Sequence, residues 1–343
     1  MRKLKILVRM LRNRLVSGDP SLKNALLHRL IFVLNFFPPY NLACWLWVKA
    51  CVRWGSRSNT ARSASWFLLQ RGFLFGALRH LGPADRNAFA SVFELPVLKT
   101  SRPKASIAPR LKGLAEELAA TGFVNLGPVL SRDKADAAVK FFRQQQGYAS
   151  QTPLQSDGVL RPFDLDALEK AQSERYFCFS SKTSLACSQV TELVNNSVLR
   201  DVAAAYLGFT PVLYSINTIA TTKGGGDHYV MRMHRDYDAF ASVTFFVCWT
   251  DVSANNGATI FIPRSHLSSN VNETDRTYLT GEAGQVFGVD TFGLHSGNRN
   301  VSGLRLATWM RFGSIPNLGT IQDPDLVPEH HEFSQIPLTT AVV

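Results

Sequence analysis

Paired cysteines, a cleavable leader and acidic residues near the N-terminus are all scarce or missing in this sequence. Its five cysteines (Cys44, Cys51, Cys178, Cys187, Cys248) form an odd set with no CxxC and no regular spacing. That excludes a disulfide framework or a zinc ribbon and leads us to expect a reducing compartment. No A-x-A site follows a compact apolar core, so no secretory signal is expected. Only Asp19, Asp85 and Glu94 are acidic in residues 1–104, against 18 Lys and Arg, so this third carries +15. The remainder holds 19 basic and 23 acidic residues, a net −4, so the overall +11 belongs to the N-terminal segment alone. A basic surface spanning the whole protein is therefore excluded, and no nucleic-acid-binding motif accompanies the charge, which argues against that partner. There is also no internal repeat and no low-complexity tract.

What the N-terminal third has instead is a basic amphipathic start and an apolar run. Leu4, Leu7, Val8, Leu11 and Leu15 fall on one helical stripe, with Arg2, Lys3, Lys5, Arg9, Arg12 and Arg14 mostly on other faces. Residues 30–48 contain no charged side chain, but Pro38-Pro39 and two asparagines interrupt them. A proline pair breaks a helix, so two short apolar helices are expected rather than one span. Three readings stay open: peripheral membrane contact through residues 1–52, in an otherwise cytoplasmic protein, a helical subdomain packed on the rest of the chain, and, behind these two, mitochondrial targeting by the Arg-rich, acid-poor start. Residues 98–110, with two prolines and four cations, read as a linker. The expected organisation is a basic helical region over 1–104, a second domain over 105–320 and a tail over 321–343. The sequence does not specify an oligomeric state.

The second domain opens with helical patterns. Residues 111–122 end at Gly122, a segment from Ser131 as N-cap follows a "FVNLG" strand, and "VTELVNNSVLRDVAAAYLG" reads as one helix stopping at Gly208. Thereafter the segments are short, β-branched and aromatic: "TPVLYSINTIATT", "ASVTFFVCWTDV", "GATIFIP", "GQVFGVD" and "RLATWMRFG". Helices followed by strands imply an α+β domain whose sheet part is a sandwich or jelly roll.

The chemistry concentrates in "KGGGDHYVMRMHRDYDAF", residues 223–240. On a strand, His234 and Asp236 point to one face. A single HxD is weak, but His295 in "TFGLHSGNRN" offers a third ligand from another strand. Two imidazoles and one carboxylate leave the other metal positions open, the facial arrangement suited to non-haem Fe(II) with an oxidising co-substrate. Arg305, ten residues after His295, heads an apolar strand pattern with no acid nearby in sequence. A dicarboxylate ligand would match its planar guanidinium bidentately.

"MHRDYDAF", "NNGATIFIPRSH" and "HSGNRNVSGLRLA", in that order, resemble the phytanoyl-CoA dioxygenase family of Fe(II)/2-oxoglutarate-dependent oxygenases. "GFVNLGPVLSRDKADAAVKFF" resembles that family's opening strand and helix, so the likeness covers about 105–315. The resemblance implies a double-stranded β-helix (jelly roll) with flanking helices, and His234, Asp236 and His295 as iron ligands. It implies that Arg305 holds the distal carboxylate of 2-oxoglutarate, with Ser296 assisting. It further implies that O2 is the second co-substrate and that a small or lipid-like molecule is hydroxylated with release of succinate and CO2. A non-catalytic jelly-roll protein that binds metal and 2-oxoglutarate is the alternative. Asp236 stands where related halogenases have a small residue, which favours an oxygen-based outcome such as hydroxylation or desaturation. The chain departs from the family pattern at Met233 and at Arg264, where the "PGSH" turn usually carries glycine. Arg232, Arg235 and Arg264, with Arg299, cluster around the motifs and suit an acidic substrate group, and Asp238 shares the face of Asp236. Asp227 and His228 read as loop residues over the site, and His266 as a hydrogen-bonding residue of its turn.

Overall fold

A computed structural model of the chain describes residues 37–54, 77, 81–92, 107–149, 162–166, 169, 177–223, 229–236, 239, 241–268, 271–299 and 301–313. Asp227, His228, Asp238 and the 321–343 tail lie outside the described residues, as does the amphipathic start.

Among the described residues, two helices belong to the N-terminal third: α1 (Pro38–Trp54) and α2 (Pro83–Val92). Pro38 and Pro39 open one helix of 17 residues; the part of the apolar run before Phe37 lies outside the described residues. Proline is suited to a first turn, where its missing N–H has no intrahelical partner to lose. On α1, Asn41, Cys44, Val48 and Cys51 are buried, at helical spacing. Cys44, Val48 and Cys51 form a small core with Ala77, Leu81 and Phe89, and also with Phe292 from the second half of the chain.

The second half begins with α3 (Pro109–Thr121), which stops at Gly122. That residue has φ 90°, and its N–H donates to Leu118 O at 2.8 Å. Strand β1 (Phe123–Pro128) leads to α4 (Arg132–Arg143), where Ser131 Oγ accepts from Lys134 N at 3.4 Å as the expected N-cap. The segment read as one long helix is instead two, α6 (Ser188–Val194) and α7 (Ser197–Leu207), after the short α5 (Ser181–Ala186). The break is Asn196, whose side chain accepts from Val198 N at 2.9 Å and so caps a new helix.

The remaining strands are β2 (Gly147–Ala149), β3 (Pro162–Phe163), β4 (Phe177–Phe179), β5 (Val212–Thr221), β6 (Ser242–Cys248), β7 (Thr259–Phe261), β8 (Thr277–Leu279), β9 (Gln285–Val289), β10 (His295–Ser296) and β11 (Arg305–Gly313). They form an eight-stranded sheet in the order β1-β9-β6-β11-β5-β4-β2-β3 and a three-stranded sheet in the order β10-β7-β8. The described pairings are antiparallel, and with the helices they make an α+β fold.

Period-two alternation then sorts the core. Val243, Phe245 and Val247 of β6, Leu306 and Met310 of β11, and Ile216 and Ala220 of β5 pack with Leu199, Val202 and Leu207 of α7. Their neighbours on the opposite face, Phe246, Cys248, Phe287 and Val289, pack with Phe261 and Leu279 of the small sheet. The large sheet is thus covered by helices on one face and by the small sheet on the other. Trp309 packs into this inter-sheet cluster, and Arg305 and Arg311 share its side of β11 by the same alternation.

Candidate metal centre

His234 and His295 are joined by their backbones before their rings meet. His234 N donates to His295 O at 2.8 Å and His295 N to His234 O at 2.9 Å, an isolated antiparallel bridge. The HxD segment is therefore not part of a regular strand, as expected, but a single bridge followed by extended chain. Asp236 is fixed by its own N–H, which donates to Thr291 O at 2.8 Å. The large sheet thus carries none of the three residues. The segment 290–296 that leaves β9 and enters β10 holds both ends of the HxD motif.

One ligand atom from each of His234, Asp236 and His295 lies within 4.8 Å of the others. His234 Nε2 is 3.6 Å from Asp236 Oδ1, and His295 Nε2 is 3.6 Å from Asp236 Oδ2. Each imidazole is oriented through its other nitrogen: His234 Nδ1 lies 2.8 Å from Arg232 O and His295 Nδ1 lies 2.9 Å from Gly293 O. A carbonyl only accepts, so Nδ1 carries the proton and Nε2 keeps its lone pair for a metal. Burial, partly offset by the Asp236 charge, pushes His295 down to about 4, so it is neutral near neutral pH. Burial opposes ionisation of Asp236 too. The Arg311 charge, the two histidines and a hydrogen bond from Thr291 outweigh it and hold the carboxyl below its ordinary range. The donors fit a divalent cation: two imidazole nitrogens and an ionised carboxylate converge, which is too few for a closed structural zinc site.

Arg305 is 7% exposed, and its Nη2 donates to Thr259 Oγ1 at 3.4 Å. Its aliphatic stem lies on Gly257, which has φ 70°. A Cβ built there would stand 2.5 Å from Arg305 Cδ. The glycine of "NNGATIFIP" therefore both makes its turn and leaves room for the arginine. Ser296 is buried on β10, where it pairs with Ile260 of β7.

The other arginines separate by what they touch. Arg235 donates to three backbone carbonyls, Ser265 O at 2.6 Å, Phe292 O at 2.6 Å and Ser268 O at 3.0 Å, tying two loops together behind the HxD motif. Arg264 has φ 63°, the one positive φ among described non-glycine residues, and its N–H donates to Thr121 O at 2.7 Å. The glycine usual in the family turn is explained by that left-handed backbone. Arg232 and Arg299 are exposed. His266 reaches out of its own turn: its Nε2 is 3.0 Å from Ala119 O at the end of α3, and burial lowers its pKa.

Sequence reasoning missed Arg311, whose Nη2 lies 3.3 Å from Asp236 Oδ2. The signal was present: Arg311 is six residues after Arg305, an even separation on one strand. It also missed a buried network on the ligand-bearing segment. Asp290 Oδ2 accepts from Tyr206 Oη at 2.6 Å and pairs with Arg86 Nη2 of α2 at 3.2 Å, while Asp290 Oδ1 accepts from Phe292 N at 2.9 Å. The Arg86 guanidinium also sits 3.7 Å from the Phe292 ring centroid. No sequence pattern joins residues 204 positions apart.

Solved structures resemble the fold at low identity. The non-heme alpha ketoglutarate dependent carbocyclase SnoK from nogalamycin biosynthesis is 16% identical, with 66% of this chain and 94% of that one covered and a TM-score of 0.48. The epimerase SnoN, solved with Fe3+, alpha ketoglutarate and nogalamycin RO, is 16% identical over 60% of this chain and 84% of that one, with a TM-score of 0.46. EctD from S. alaskensis, solved with 2-oxoglutarate and 5-hydroxyectoine, is 18% identical over 64% of this chain and 81% of that one, with a TM-score of 0.43. A search of curated protein sequences finds no match. The profile of the family described as phytanoyl-CoA dioxygenase (PhyH) matches residues 120–303, a stretch that contains His234, Asp236 and His295 and ends two residues short of Arg305. Because that match spans more than half of the chain, the protein belongs to the phytanoyl-CoA dioxygenase family of Fe(II)/2-oxoglutarate-dependent oxygenases.

Proposed function

We propose that the chain is an Fe(II)- and 2-oxoglutarate-dependent dioxygenase that hydroxylates a small or lipid-like molecule. In this reading His234, Asp236 and His295 hold the iron, and the two sheets are the halves of a jelly roll around it. The observation that carries the reading is the convergence of three ligand atoms within 4.8 Å, with both imidazoles held at Nδ1 by backbone carbonyls. When bound, Fe(II) with 2-oxoglutarate and O2 supplies an oxidant for an unactivated C–H bond, and succinate and CO2 are released.

The remaining roles belong to the protein's own side chains. Arg305 offers a bidentate guanidinium from within the inter-sheet space to the distal carboxylate of 2-oxoglutarate, and Thr259 and Gly257 set its position. Ser296 is a further contact for that co-substrate. Arg235 acts as a clamp on the loops at Ser265, Ser268 and Phe292, and the exposed Arg232, Arg264 and Arg299 are proposed to meet an acidic substrate group. Asp238 remains a proposed substrate contact two residues beyond Asp236.

The test is an anaerobic titration with Fe(II) and 2-oxoglutarate, followed by a screen of metabolite extracts for succinate release in air. The expected result is stoichiometric binding of both and succinate release that one fraction stimulates and His234→Ala abolishes. Iron and 2-oxoglutarate binding without succinate from any fraction would favour the non-catalytic alternative. Failure of the wild type to bind iron would overturn the ligand assignment.

A further inference from the structure

The packed and the exposed faces of α1 divide the helix in two. Asn41, Cys44, Val48 and Cys51 recur at helical spacing and turn toward α2 and Phe292. The other face is apolar and open to solvent. Of the seven exposed large hydrophobic side chains among the described residues, five lie on α1 or directly before it: Phe37, Leu42, Leu46, Trp47 and Trp54. Leu42 and Leu46 are one turn apart and more than half exposed, as are Phe37 and Trp54. Scattered surface apolar groups need no explanation, but such a concentration on one helix face marks a contact surface.

The charge around this face selects its occupant. No acidic residue occurs in Pro38–Trp54, and Arg53 stands in the last turn beside Trp54, with its guanidinium 5.2 Å from that ring. The helix lies in a segment of 18 basic and three acidic residues. A second copy of the chain would bring two such segments together, against their mutual repulsion. Nucleic acid would meet the cations but leave the leucines and tryptophans exposed. An anionic lipid surface satisfies both, taking the apolar side chains below its headgroups and the cations at them. Geometry sets the depth. No described helix is long and apolar enough to cross a membrane, and the inner face of α1 is already committed to packing, so the helix lies in the interface plane.

We infer that the outer face of α1, carrying Phe37, Leu42, Leu46, Trp47 and Trp54, is a docking surface for anionic lipid. Packing on the core and contact with a membrane are then properties of opposite faces of one helix. The docked helix is joined through Phe292, and through α2 and the Arg86–Asp290 pair, to the segment that carries His295.

The experiment is sedimentation of the full chain with vesicles of phosphatidylcholine alone and of phosphatidylcholine mixed with phosphatidylglycerol. The wild type is expected to co-sediment with the mixed vesicles, and salt should weaken that binding. Leu42→Glu/Leu46→Glu should lower partitioning at least about tenfold, since it replaces two apolar anchors with charges that anionic lipid repels. Both substituted positions are exposed, so thermal melting and Fe(II) binding of the double variant should match the wild type and show that it is folded. No vesicle binding by the wild type, or undiminished binding by the double variant, overturns the proposal. So does wild-type self-association, without vesicle binding, that the double variant abolishes. None of these outcomes depends on the oxygenase reading, whose own test is succinate release.

Discussion

Arg311 Nη2 stands 3.3 Å from Asp236 Oδ2, so the carboxylate of the candidate metal site has a cationic partner within the protein itself. Both side chains are about one-fifth exposed. A divalent cation and a guanidinium beside one carboxylate compete for the same negative charge. Arg311→Met should therefore destabilise the metal-free protein by roughly 1.5–3 kcal/mol, the range for a hydrogen bond to a charged group. Fe(II) should restore more stability to the variant than to the wild type, because it meets an uncompensated carboxylate. Melting temperatures with and without Fe(II) under anaerobic conditions measure both effects. An unchanged difference between the two forms would show that Arg311 does not balance Asp236.

Arg86 and Asp290 make a second prediction, about a distant residue. The pair is almost fully buried, at 4% and 1% side-chain exposure. Breaking a buried pair by removing one partner leaves an uncompensated charge and costs about 3–5 kcal/mol. Arg86→Met should lower stability by that order in chemical denaturation. It should also speed iron loss, because Phe292 and the backbone up to His295 lose the group that holds them from α2. Arg86→Lys should recover part of the stability but not the planar contact with the Phe292 ring.

Gly257 gives a prediction specific to the co-substrate. At φ 70° a side chain is strained, and a Cβ would stand 2.5 Å from Arg305 Cδ. Gly257→Ala should displace Arg305 while leaving His234, Asp236 and His295 in place. The KM for 2-oxoglutarate should rise about tenfold or more, as expected when a charge-assisted pair is misaligned. Fe(II) affinity without 2-oxoglutarate should change little. An equal loss in both titrations would indicate general unfolding instead.

The pH dependence of the metal-free protein follows from His295. Burial holds its folded pKa at about 4, below the ordinary 6.5. Between these values the unfolded chain binds a proton that the folded chain refuses, so stability is full above about 6.5 and falls as the pH drops toward 4. Asp236, held below the ordinary carboxylate range, loses its contribution at still lower pH, in the same direction. Unfolding by urea at pH 7 and pH 5 should differ by about 2 kcal/mol from His295 alone. His295→Gln should remove most of that difference.

The parts of this molecule that were legible in the sequence are those fixed by local chemistry. Gly122 and Gly208 end their helices in left-handed conformation, Ser131 caps α4, and the alternating strands β5, β6, β9 and β11 stand where their β-branched and aromatic residues predict. The three residues that converge at the candidate metal centre were visible because two lie close together in one short motif and the third has a motif of its own. What stayed hidden depends on contacts between distant segments. The two-residue β10 has no periodicity to detect, and His234 is placed by one bridge to it rather than by a strand of its own. Arg86 and Tyr206 meet Asp290 only because helices from separate parts of the chain converge on one loop. Pro38-Pro39 mark where α1 begins, since proline breaks hydrogen bonding inside a helix but costs none at its start.

Arg264 is the position where folding and the proposed substrate contact make opposite demands. Its φ of 63° is a left-handed conformation that costs a non-glycine residue about 1–2 kcal/mol. Glycine would relieve that strain, although it gives back about 0.5–1 kcal/mol through the greater freedom of the unfolded chain. Arg264→Gly should therefore stabilise the protein slightly, by up to about 1.5 kcal/mol on this balance. The backbone bond from residue 264 to Thr121 O does not depend on the side chain and should survive. The proposed contact with an acidic substrate group would give this strain a functional reason. Once a substrate is identified, the variant should raise its KM while leaving the KM for 2-oxoglutarate unchanged. A more stable variant with unaltered kinetics toward an acidic substrate would remove Arg264 from the substrate site and leave its strain without a functional reason.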